Sequence, residues 1–322
     1  MSDALRVLSP GLSCTVQDLG RLGFRRFGVP TSGAMDRFAL QAGNLLVGNR
    51  RGAAALEMAL LGPTLTATAD LLVCVTGADL GAAVDGAAVP MWKSFPVREG
   101  SRIAFGNRGP ARGVWTYLCV AGGIDAPLVM GSRSTYVRGS FGGLEGRAVR
   151  AGDVIRIPPS VEPRGRAGAA LPSNLIPTGG QSLEARVIPG PQEEEFPSES
   201  LSRFYASTFT VSRQSDRMGY RLEAASPSAG PAGVPSEGTS PGCVQVPPDG
   251  HPIVLMADCQ TTGGYAKIAT IISADLAAVA QLAPGSRLRV RRVTLQEARE
   301  AAQREERILA RLDAGLYDGD SA

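Results

Sequence analysis

The sequence predicts a mainly β protein that consists of two related β domains and a few helices. Its 322 residues include 40 glycines and 23 prolines scattered among short apolar runs, a pattern typical of strands joined by tight turns. One local pattern recurs at 98–105, 150–157 and 283–290: a glycine, then Ser or Asp, then alternating apolar and charged residues. Because glycine permits the turn and the alternation marks a half-exposed strand, this recurrence in both halves indicates related domains.

Composition also predicts the boundary between the two domains. A tract rich in Pro, Gly and Ala at 158–180 separates the halves, and the chain is long enough for two domains. We therefore predict an N-terminal β domain at 1–165, a linker at 166–184 and a C-terminal β domain at 185–322. A second loop-like tract at 225–242 is longer than a simple connection needs, so it is either mobile or functional.

Two segments have helical patterns. In 32–49 the apolar residues recur at helical spacing, with Ser32 as the expected N-cap and Gly48 as the stop. Thr294 begins the capping-box pattern T-L-Q-E, and helix-forming residues continue from there to Gly315. The second helix is expected to pack on its own domain through one apolar stripe, which consists of Leu295, Ala298, Ala302, Ile308 and Leu312.

Composition and charge argue against several classes of function. The net charge is only +3 and aromatic residues make up 5% of the chain, so nucleic-acid binding is not expected. Five cysteines without a C-x-x-C pair favour neither a zinc site nor a disulfide framework. A nucleophile built from Cys259 and His251 is disfavoured, because the single histidine lies in a loop-like D-G-H-P sequence. The first residues lack a signal-peptide pattern and the apolar runs are shorter than a membrane span, so we expect a cytoplasmic protein without membrane association.

The first of four polar motifs follows the first strand-like runs. Gln17, Asp18 and Arg21 are crowded beside Gly20 and Gly23. Glycines at such positions indicate that another part of the backbone, or a ligand, approaches closely. The polar side chains are therefore candidates for a binding site.

The same motif continues into the first predicted helix. Ser32 and Gly33 precede it, and Arg37 lies near its start. The free N–H groups of a helix N-terminus favour an anion, such as a carboxylate or a phosphate. The alternative is that Ser32 only caps the helix while Asp36 complements its dipole.

The second motif is a glycine-rich basic segment at 131–147. It contains Ser132, Arg133 and Ser134, and it has the composition of an anion-binding loop. It is not a Walker A pattern, because no Lys follows the glycines. We therefore expect a polar loop that lines a pocket.

The third motif, S-D-R-M-G-Y-R-L-E, contains Asp216 and Arg217. It is similar to the first motif, with Asp216 in the place of Asp18 and the tripeptide at 219–221 in the place of that at 23–25. This similarity supports a duplication. The alternative is that an Asp–Arg pair here is only a structural ion pair.

The fourth motif, D-C-Q-T-T-G-G-Y-A-K, lies between two apolar runs and has more hydrogen-bonding groups than a plain turn needs. Binding groups often lie at strand ends and in the loops beyond them. A Lys near a Tyr in a partly desolvated site can transfer a proton or hold a carboxylate. The candidates are Gln260, Thr261, Thr262, Gly263, Tyr265 and Lys267.

Together and in this order, the four motifs resemble the biotin-dependent carboxyltransferase family, also called allophanate hydrolase subunit 2 or KipA-like, which includes a subunit of bacterial 5-oxoprolinase. The resemblance covers nearly the whole chain, from V-L-S-P-G at 7–11 to L-A-P-G at 282–285. It implies a pair of cyclophilin-like β-barrel domains, in agreement with the duplication inferred above.

The resemblance also implies partners and a choice of reactions. Family members work with a companion of the KipI or allophanate hydrolase subunit 1 type. One reaction is the ATP-dependent opening of 5-oxo-L-proline to L-glutamate, run with this companion and a third subunit. The other is carboxyl transfer from carboxybiotin to urea or a similar amide. A non-catalytic KipA-type regulator that binds its companion is the remaining alternative. The sequence has no biotin carboxylase segment and no biotinyl site, which favours the 5-oxoprolinase interpretation.

The expected site therefore holds a small amide that carries an anionic carboxylate. ATP is expected in the assembled complex, with carboxybiotin on a separate protein as the alternative, and no metal is expected. The candidates for catalytic proton transfer are Asp18, Asp216, Tyr265 and Lys267. The candidates for substrate binding are Gln17, Arg21, Ser32, Gly33, Arg37, Ser132, Arg133, Ser134, Arg217, Gln260, Thr261, Thr262 and Gly263.

Overall fold

The computed structural model describes residues 2–106, 113–158, 167–225, 230–231 and 233–315. These residues form a mainly β fold with four α-helices, as the sequence predicts. The helices are α1 (Arg37–Leu46), α2 (Ser198–Ala206), α3 (Ser273–Ala280) and α4 (Leu295–Asp313). None of these helices is both long enough and apolar enough to cross a membrane.

The chain divides into two compact units. The first contains the described residues of 1–21, 32–178 and 307–322, and the second contains those of 22–31 and 179–306. The short segment 22–31 thus leaves the first unit and is part of the second. The predicted linker tract falls partly outside the described residues, and the chain passes between units at Thr178 and Gly179.

Two antiparallel sheets build the first unit. Their inward-facing side chains, which include Leu5, Leu65, Ile103, Leu56 and Leu118, form one apolar core and are fully buried. The strand order in one sheet is β11-β1-β4-β9-β6-β7, and in the other it is β2-β3-β10-β5-β8. The strands are β1 (Ser2–Ser9), β2 (Ser13–Gln17), β3 (Ala55–Ala59), β4 (Thr64–Ala67), β5 (Leu71–Gly77), β6 (Ala82–Val84), β7 (Ala87–Ala88), β8 (Ser94–Val97), β9 (Arg102–Phe105), β10 (Trp115–Val120) and β11 (Val154–Ile157).

Helix α1 packs on the five-stranded sheet, against β5 and β10. Gly43 allows this close approach, because a Cβ at this position would lie 2.7 Å from Cys119 Sγ and 2.9 Å from Thr76 Oγ1. The Thr76 hydroxyl donates to the carbonyl of Ala39 at 2.7 Å and ties the helix to the sheet. This packing fixes the position of the residues that precede the helix.

The second unit contains a closed barrel of seven strands in the order β12-β19-β16-β17-β14-β13-β20. Strands β12 and β20 pair in parallel, and the other ladders described in this barrel are antiparallel. A two-stranded ribbon of β15 and β18 accompanies the barrel. The strands are β12 (Ser182–Pro189), β13 (Phe209–Val211), β14 (Gly219–Glu223), β15 (Glu237–Gly238), β16 (Cys243–Val246), β17 (Ile253–Leu255), β18 (Thr262–Gly263), β19 (Ala266–Ile271) and β20 (Arg287–Arg292).

The three recurrent glycine turns predicted from the sequence are confirmed, and they share one geometry. Gly100, Gly152 and Gly285 have φ values of 83°, 91° and 89°, in the left-handed region that favours glycine. The next residue in each turn donates its N–H to the carbonyl three residues earlier: Ser101 to Arg98, Asp153 to Arg150 and Ser286 to Ala283. The turns lead into β9, β11 and β20, so the same turn serves both units.

Three local predictions need correction. Helix α1 begins at Arg37 and is capped by Asp36, whose carboxylate accepts from the N–H of Ala39 at 2.9 Å, so the predicted cap at Ser32 is wrong. The predicted correspondence of 219–221 with 23–25 is wrong, because 219–221 belong to β14 whereas Arg25 begins the 3₁₀ helix Arg25–Phe27. In α4 the buried positions include Ala301, Leu309 and Leu312, whereas Leu295 at the helix start is 54% exposed.

The capping box of α4 is confirmed. Glu297 accepts from the N–H of Thr294 at 2.7 Å, and the Thr294 hydroxyl accepts from the N–H of Glu297 at 3.2 Å. The helix ends at Asp313, two residues before the predicted stop. All five cysteines are buried and free.

Candidate functional site

Each unit contains a cluster of buried polar side chains that includes predicted site residues. In the first unit the Asp18 carboxylate, at the end of β2, accepts four hydrogen bonds. Its Oδ1 accepts from Gly20 N at 2.7 Å, from Ser132 Oγ at 2.6 Å and from Ser134 Oγ at 2.5 Å, and its Oδ2 accepts from Arg133 N at 2.6 Å. The structure thus brings the first two polar motifs together, more than 110 residues apart in sequence. We call these residues the Asp18 cluster.

Gln17 and Arg21 extend the Asp18 cluster. Gln17 donates from Nε2 to the Thr15 hydroxyl at 3.0 Å and to the Thr135 carbonyl at 3.1 Å. Its Oε1 is buried and has no hydrogen-bond partner among the described residues. Arg21 is fully buried, donates to the Ser134 carbonyl and lies over the ring of Phe141 at 4.8 Å.

Ser32 and Gly33 form a turn that is pressed against the backbone of the Asp18 cluster. Their φ values are 53° and 85°, and a serine in this region is strained by about 1–2 kcal/mol. A Cβ at Gly33 would lie 2.7 Å from the backbone nitrogen of Gly20. The Ser32 hydroxyl is buried, and no described residue accepts or donates a hydrogen bond to it. A strained residue with an unused hydroxyl is a frequent feature of functional sites.

Sequence reasoning missed the two residues that hold this turn in place. Glu57 Oε2 accepts from Met35 N at 2.8 Å and from the Tyr117 hydroxyl at 2.7 Å, and the same hydroxyl accepts from Asp36 N at 2.8 Å. Burial raises the pKa of Tyr117 well above its usual value, and the charges of Glu57 and Asp36 raise it further. The only sequence signal is one Glu within the apolar run that forms β3.

Two arginines of the glycine-rich loop, Arg133 and Arg147, have partners within the first unit. Arg133 pairs with Asp125 at 3.0 Å, and Arg147 pairs with Asp153 at 2.7 Å and with Glu145 at 3.0 Å. The hydrogen bond from Arg147 holds the pKa of Asp153 below its usual value, against the effect of partial burial. These guanidinium groups neutralise the chain's own carboxylates. Arg37 is exposed, and its Nη1 donates a hydrogen bond to the Leu19 carbonyl at 3.1 Å.

The second cluster lies in the second unit around Lys267 on β19. The Lys267 side chain is only 5% exposed, and its Nζ contacts Glu237 Oε1 at 2.6 Å and the Gly238 carbonyl at 3.0 Å. Gln192 donates from Nε2 to the same Glu237 oxygen at 2.7 Å, and its Oε1 accepts from Lys267 N at 3.1 Å. The hydrogen bond from Lys267 lowers the pKa of Glu237 most strongly. We call this arrangement, with the glutamines described next, the Lys267 cluster.

Two glutamine amides continue the Lys267 cluster. Gln245 is the cross-strand partner of Lys267, and its Oε1 accepts from Gln260 Nε2 at 3.2 Å. A Cβ at Gly263 would lie 2.9 Å from Gln245 Nε2 and 3.4 Å from Gln260 Nε2, so only glycine fits over this amide pair without a shift. The glycine in the fourth motif therefore has a structural reason.

Arg25 connects the segment 22–31 to the same region of the second unit. Its Nη2 donates to the Thr239 carbonyl at 2.8 Å and to the Gln260 carbonyl at 3.0 Å. Burial raises the pKa of the adjacent Cys259 thiol to about 11, although the Arg25 charge acts in the opposite direction. Cys259 is fully buried and packs with Cys243 and Leu255. It is a core residue.

The other residues of the fourth motif have mixed roles. The Thr261 carbonyl accepts from Thr239 N at 3.0 Å, and Thr262 and Gly263 form β18, which pairs with β15. Tyr265 is 44% exposed, and its carbonyl accepts from Gln245 Nε2 at 3.3 Å. The backbone of this segment therefore builds the ribbon, while the phenol of Tyr265 faces outward.

Residues of the third motif hold their own loop. Arg217 forms a two-pronged ion pair with Asp258, with distances of 2.8 and 3.1 Å. Asp216 Oδ1 accepts from Met218 N at 2.8 Å and from Gly219 N at 3.3 Å, which closes a tight turn before β14. This ion pair joins the third motif to the start of the fourth.

Sequence reasoning missed several residues in and beside the Lys267 cluster. They come from parts of the chain that are distant in sequence. The signals for Glu237 and Gln245 were isolated polar residues in S-E-G at 236–238 and in C-V-Q-V at 243–246. The missed residues are Arg25, Gln192, Glu237, Thr239 and Gln245.

Comparison with known proteins adds three findings. The model of the carboxyltransferase domain, subdomain A and B, matches residues 27–292. The chain is 41% identical over 315 residues to the C subunit of 5-oxoprolinase from Escherichia coli K12, an alignment that covers 98% of this chain and 99% of that relative. It is 30% identical to the urea amidolyase of Saccharomyces cerevisiae over 96% of this chain, which is only 18% of that relative.

A solved structure agrees with these matches. The crystal structure of the urea carboxylase of Kluyveromyces lactis superimposes with a TM-score of 0.88 at 29% sequence identity. The superposition covers 98% of this chain and 29% of that protein. The fold described above is therefore similar to one segment of a larger enzyme.

Proposed function

This chain belongs to the family of the carboxyltransferase domain, subdomain A and B, and we propose that it is the C subunit of a 5-oxoprolinase. The observation that carries this proposal is the alignment with the Escherichia coli 5-oxoprolinase protein, which spans 98% of this chain and 99% of the relative at 41% identity. The urea amidolyase alignment spans only 18% of that relative. In the proposed reaction, 5-oxo-L-proline is opened to L-glutamate by an assembly of subunits.

The proposed partners follow from the relatives, which are named as single subunits of a larger enzyme. We propose a KipI-like companion and a third subunit, with ATP bound in the assembled complex. Two arginines of the glycine-rich loop, Arg133 and Arg147, already pair with Asp125 and Asp153, so their charges are neutralised within this chain. The proposal therefore assigns ATP to a companion, and no step of the chemistry is assigned to this loop.

Within this chain the Lys267 cluster is the proposed substrate site. It offers an ammonium group, two amides and the exposed phenol of Tyr265, which together suit a small molecule with an amide and a carboxylate. Lys267 is the proposed proton donor, and Gln260 is a proposed substrate ligand. Buried charges strengthen such interactions because water is excluded.

Asp18 and Asp216 receive a different proposed role. The Asp18 carboxylate accepts from four donors, and Asp216 accepts from two backbone N–H groups. A carboxylate that accepts so many hydrogen bonds fixes the loops around it. We assign both to positioning. The Ser32 hydroxyl and the Gln17 Oε1 are both buried, so the Lys267 cluster remains the proposed substrate site.

The second candidate function is carboxyl transfer to urea or a similar amide from carboxybiotin on a separate protein. It is favoured by the superposition with urea carboxylase, whose TM-score is 0.88 over 98% of this chain. The same polar groups would then bind urea, which also presents amide N–H and C=O groups.

The experiment mixes this chain with a KipI-like companion and the third subunit and measures L-glutamate formed from 5-oxo-L-proline, with and without ATP. We expect turnover that requires ATP and that disappears when this chain is omitted. Lys267→Met in this chain should abolish turnover while the complex still assembles. A stable complex without turnover contradicts the proposal. Carboxybiotin and urea would then be tested as substrates. If the complex did not turn these over either, the remaining hypothesis would be a non-catalytic KipA-type regulator.

A further inference from the structure

The Glu237 carboxylate is held by one of its two oxygens. Oε1 receives the Lys267 ammonium at 2.6 Å and the Gln192 amide at 2.7 Å. Oε2 receives no hydrogen bond from the residues that the structure describes, and the side chain is 38% exposed. One oxygen is thus anchored inside the protein, and the other remains available to a molecule from outside.

The anchoring is stronger than an ordinary surface ion pair provides. Lys267 is only 5% exposed, and a buried ammonium is costly unless a negative group and further acceptors satisfy it. Glu237 and the Gly238 carbonyl supply these acceptors, and Gln192 fixes both the Lys267 backbone and the Glu237 oxygen. The carboxylate is therefore charged, oriented and ready to accept a hydrogen bond without rearrangement.

The neighbouring groups are amides. Glu237 is the cross-strand partner of Gly263 in the β15–β18 ribbon, and the amides of Gln245 and Gln260 lie within 3.4 Å of the position that a Gly263 Cβ would occupy. Gln245 is also the cross-strand partner of Lys267. One half-exposed acceptor beside amide groups complements a ligand that has an N–H next to a carbonyl, which is the arrangement in a lactam.

We propose that Glu237 is a specificity-determining residue that accepts a hydrogen bond from the N–H of the substrate amide through Oε2. The inference rests on the proposed function, because 5-oxo-L-proline supplies the lactam N–H. A hydrogen bond from this N–H to a carboxylate shifts electron density toward the lactam oxygen. Glu237 thereby selects amides that carry an N–H, and it makes the oxygen more nucleophilic.

The test compares two ligands on the assembled complex by calorimetry: 5-oxo-L-proline and its N-methyl derivative, which lacks the N–H. A hydrogen bond to a charged acceptor supports at least about 10-fold tighter binding of 5-oxo-L-proline by the wild type. Glu237→Gln places an NH₂ donor at the Oε2 position while its carbonyl can still accept from Lys267 and Gln192. We expect this variant to bind 5-oxo-L-proline at least about 10-fold more weakly and to lose the preference between the two ligands.

Glu194→Gln is the matched control. Glu194 is exposed and lies on the same unit, and its substitution removes the same single negative charge as Glu237→Gln does. It should keep the wild-type preference, and melting curves should show all three proteins folded. If Glu237→Gln binds 5-oxo-L-proline and keeps the wild-type preference, the inference is wrong while the proposed function stands. If the wild-type complex binds no 5-oxo-L-proline, both the proposed function and the inference fail.

Discussion

Gly33 lies so close to Gly20 that a Cβ on Gly33 would be 2.7 Å from the Gly20 backbone nitrogen. The Gly33 φ of 85° also lies in the region that side chains disfavour. The contact presses the strained Ser32 turn against the backbone that carries Asp18. Because the opposing atoms belong to the backbone, they cannot move aside as the end of a side chain can.

Gly33→Ala should therefore destabilise the protein by roughly 3 kcal/mol or more, since it combines a backbone clash with an unfavourable φ. Gly86→Ala is the control, because Gly86 has a similar φ of 82° and nothing lies within 4 Å of its added Cβ. That variant should lose only about 1 kcal/mol. Urea denaturation measures both. Equal losses would show that the close contact with Gly20 has no energetic weight.

Tyr117→Phe should cost about 1–3 kcal/mol in the free energy of unfolding, because it leaves the buried N–H of Asp36 without its acceptor. The Glu57 carboxylate also loses a donor. Tyr265→Phe is the matched control for stability. The Tyr265 hydroxyl is exposed and makes no hydrogen bond to any described residue, so its removal should change stability by less than about 0.5 kcal/mol. Thermal unfolding that is unchanged in both variants would contradict this account of the Ser32 turn.

The pair of Arg147 and Asp153 predicts a pH dependence. The Asp153 pKa is lowered in the folded state from its usual 3.8, mainly by the hydrogen bond from Arg147. Its contribution to stability is therefore fully present above the unfolded-state pKa and is lost as the pH falls through the lower folded-state pKa. Asp153→Asn should be less stable than the wild type at pH 7, and this difference should shrink steadily below about pH 4. Urea denaturation from neutral pH down into this acidic range measures it, and a difference that grows on acidification would show the opposite linkage.

Gly263→Ala should weaken substrate binding more than it weakens the fold. Its Cβ would meet the amide nitrogen of Gln245 at 2.9 Å, and this flexible side chain can move away. The displaced amide should raise the KM for 5-oxo-L-proline by about 5-fold or more, with little change in the melting temperature. Gly180→Ala is the control on the same unit, because its added Cβ would meet only Ser182 backbone atoms, at 3.5 and 3.8 Å, and its KM should stay close to that of the wild type. Similar kinetics for the two variants would remove Gln245 from the proposed site.

The elements that are encoded locally follow from the sequence. The three glycine turns and the Thr294 capping box depend on residues within one short segment, and all of them are confirmed. The start of α1 was missed because Ser32 and Asp36 are both good capping residues. In the structure the helix starts at Arg37. The two residues before it are held by neighbouring strands, because Met35 N donates to Glu57 on β3 and Asp36 N donates to Tyr117 on β10.

The candidate site was predicted only in part, because it depends on contacts between residues that are distant in sequence. Gln260 and Lys267 lie in a motif with an unusual density of polar groups, so the sequence identifies them. Gln192 is 75 residues from Lys267, and nothing in the residues around Gln192 indicates that its amide would meet this lysine. Glu237 lies at the end of a tract of low complexity, where one acidic residue is usually a solvated one. Only the tertiary fold of the second unit brings these groups together.

Because residues 22–31 join the second unit while the residues on either side join the first, neither unit corresponds to one continuous stretch of the gene. A recombination event at the junction of Thr178 and Gly179 would deliver the second unit without Arg25, and the carbonyls of Thr239 and Gln260 would lose their guanidinium donor. The first unit would lose the end of α4 in the same event. A split of the chain at this junction therefore removes part of each unit.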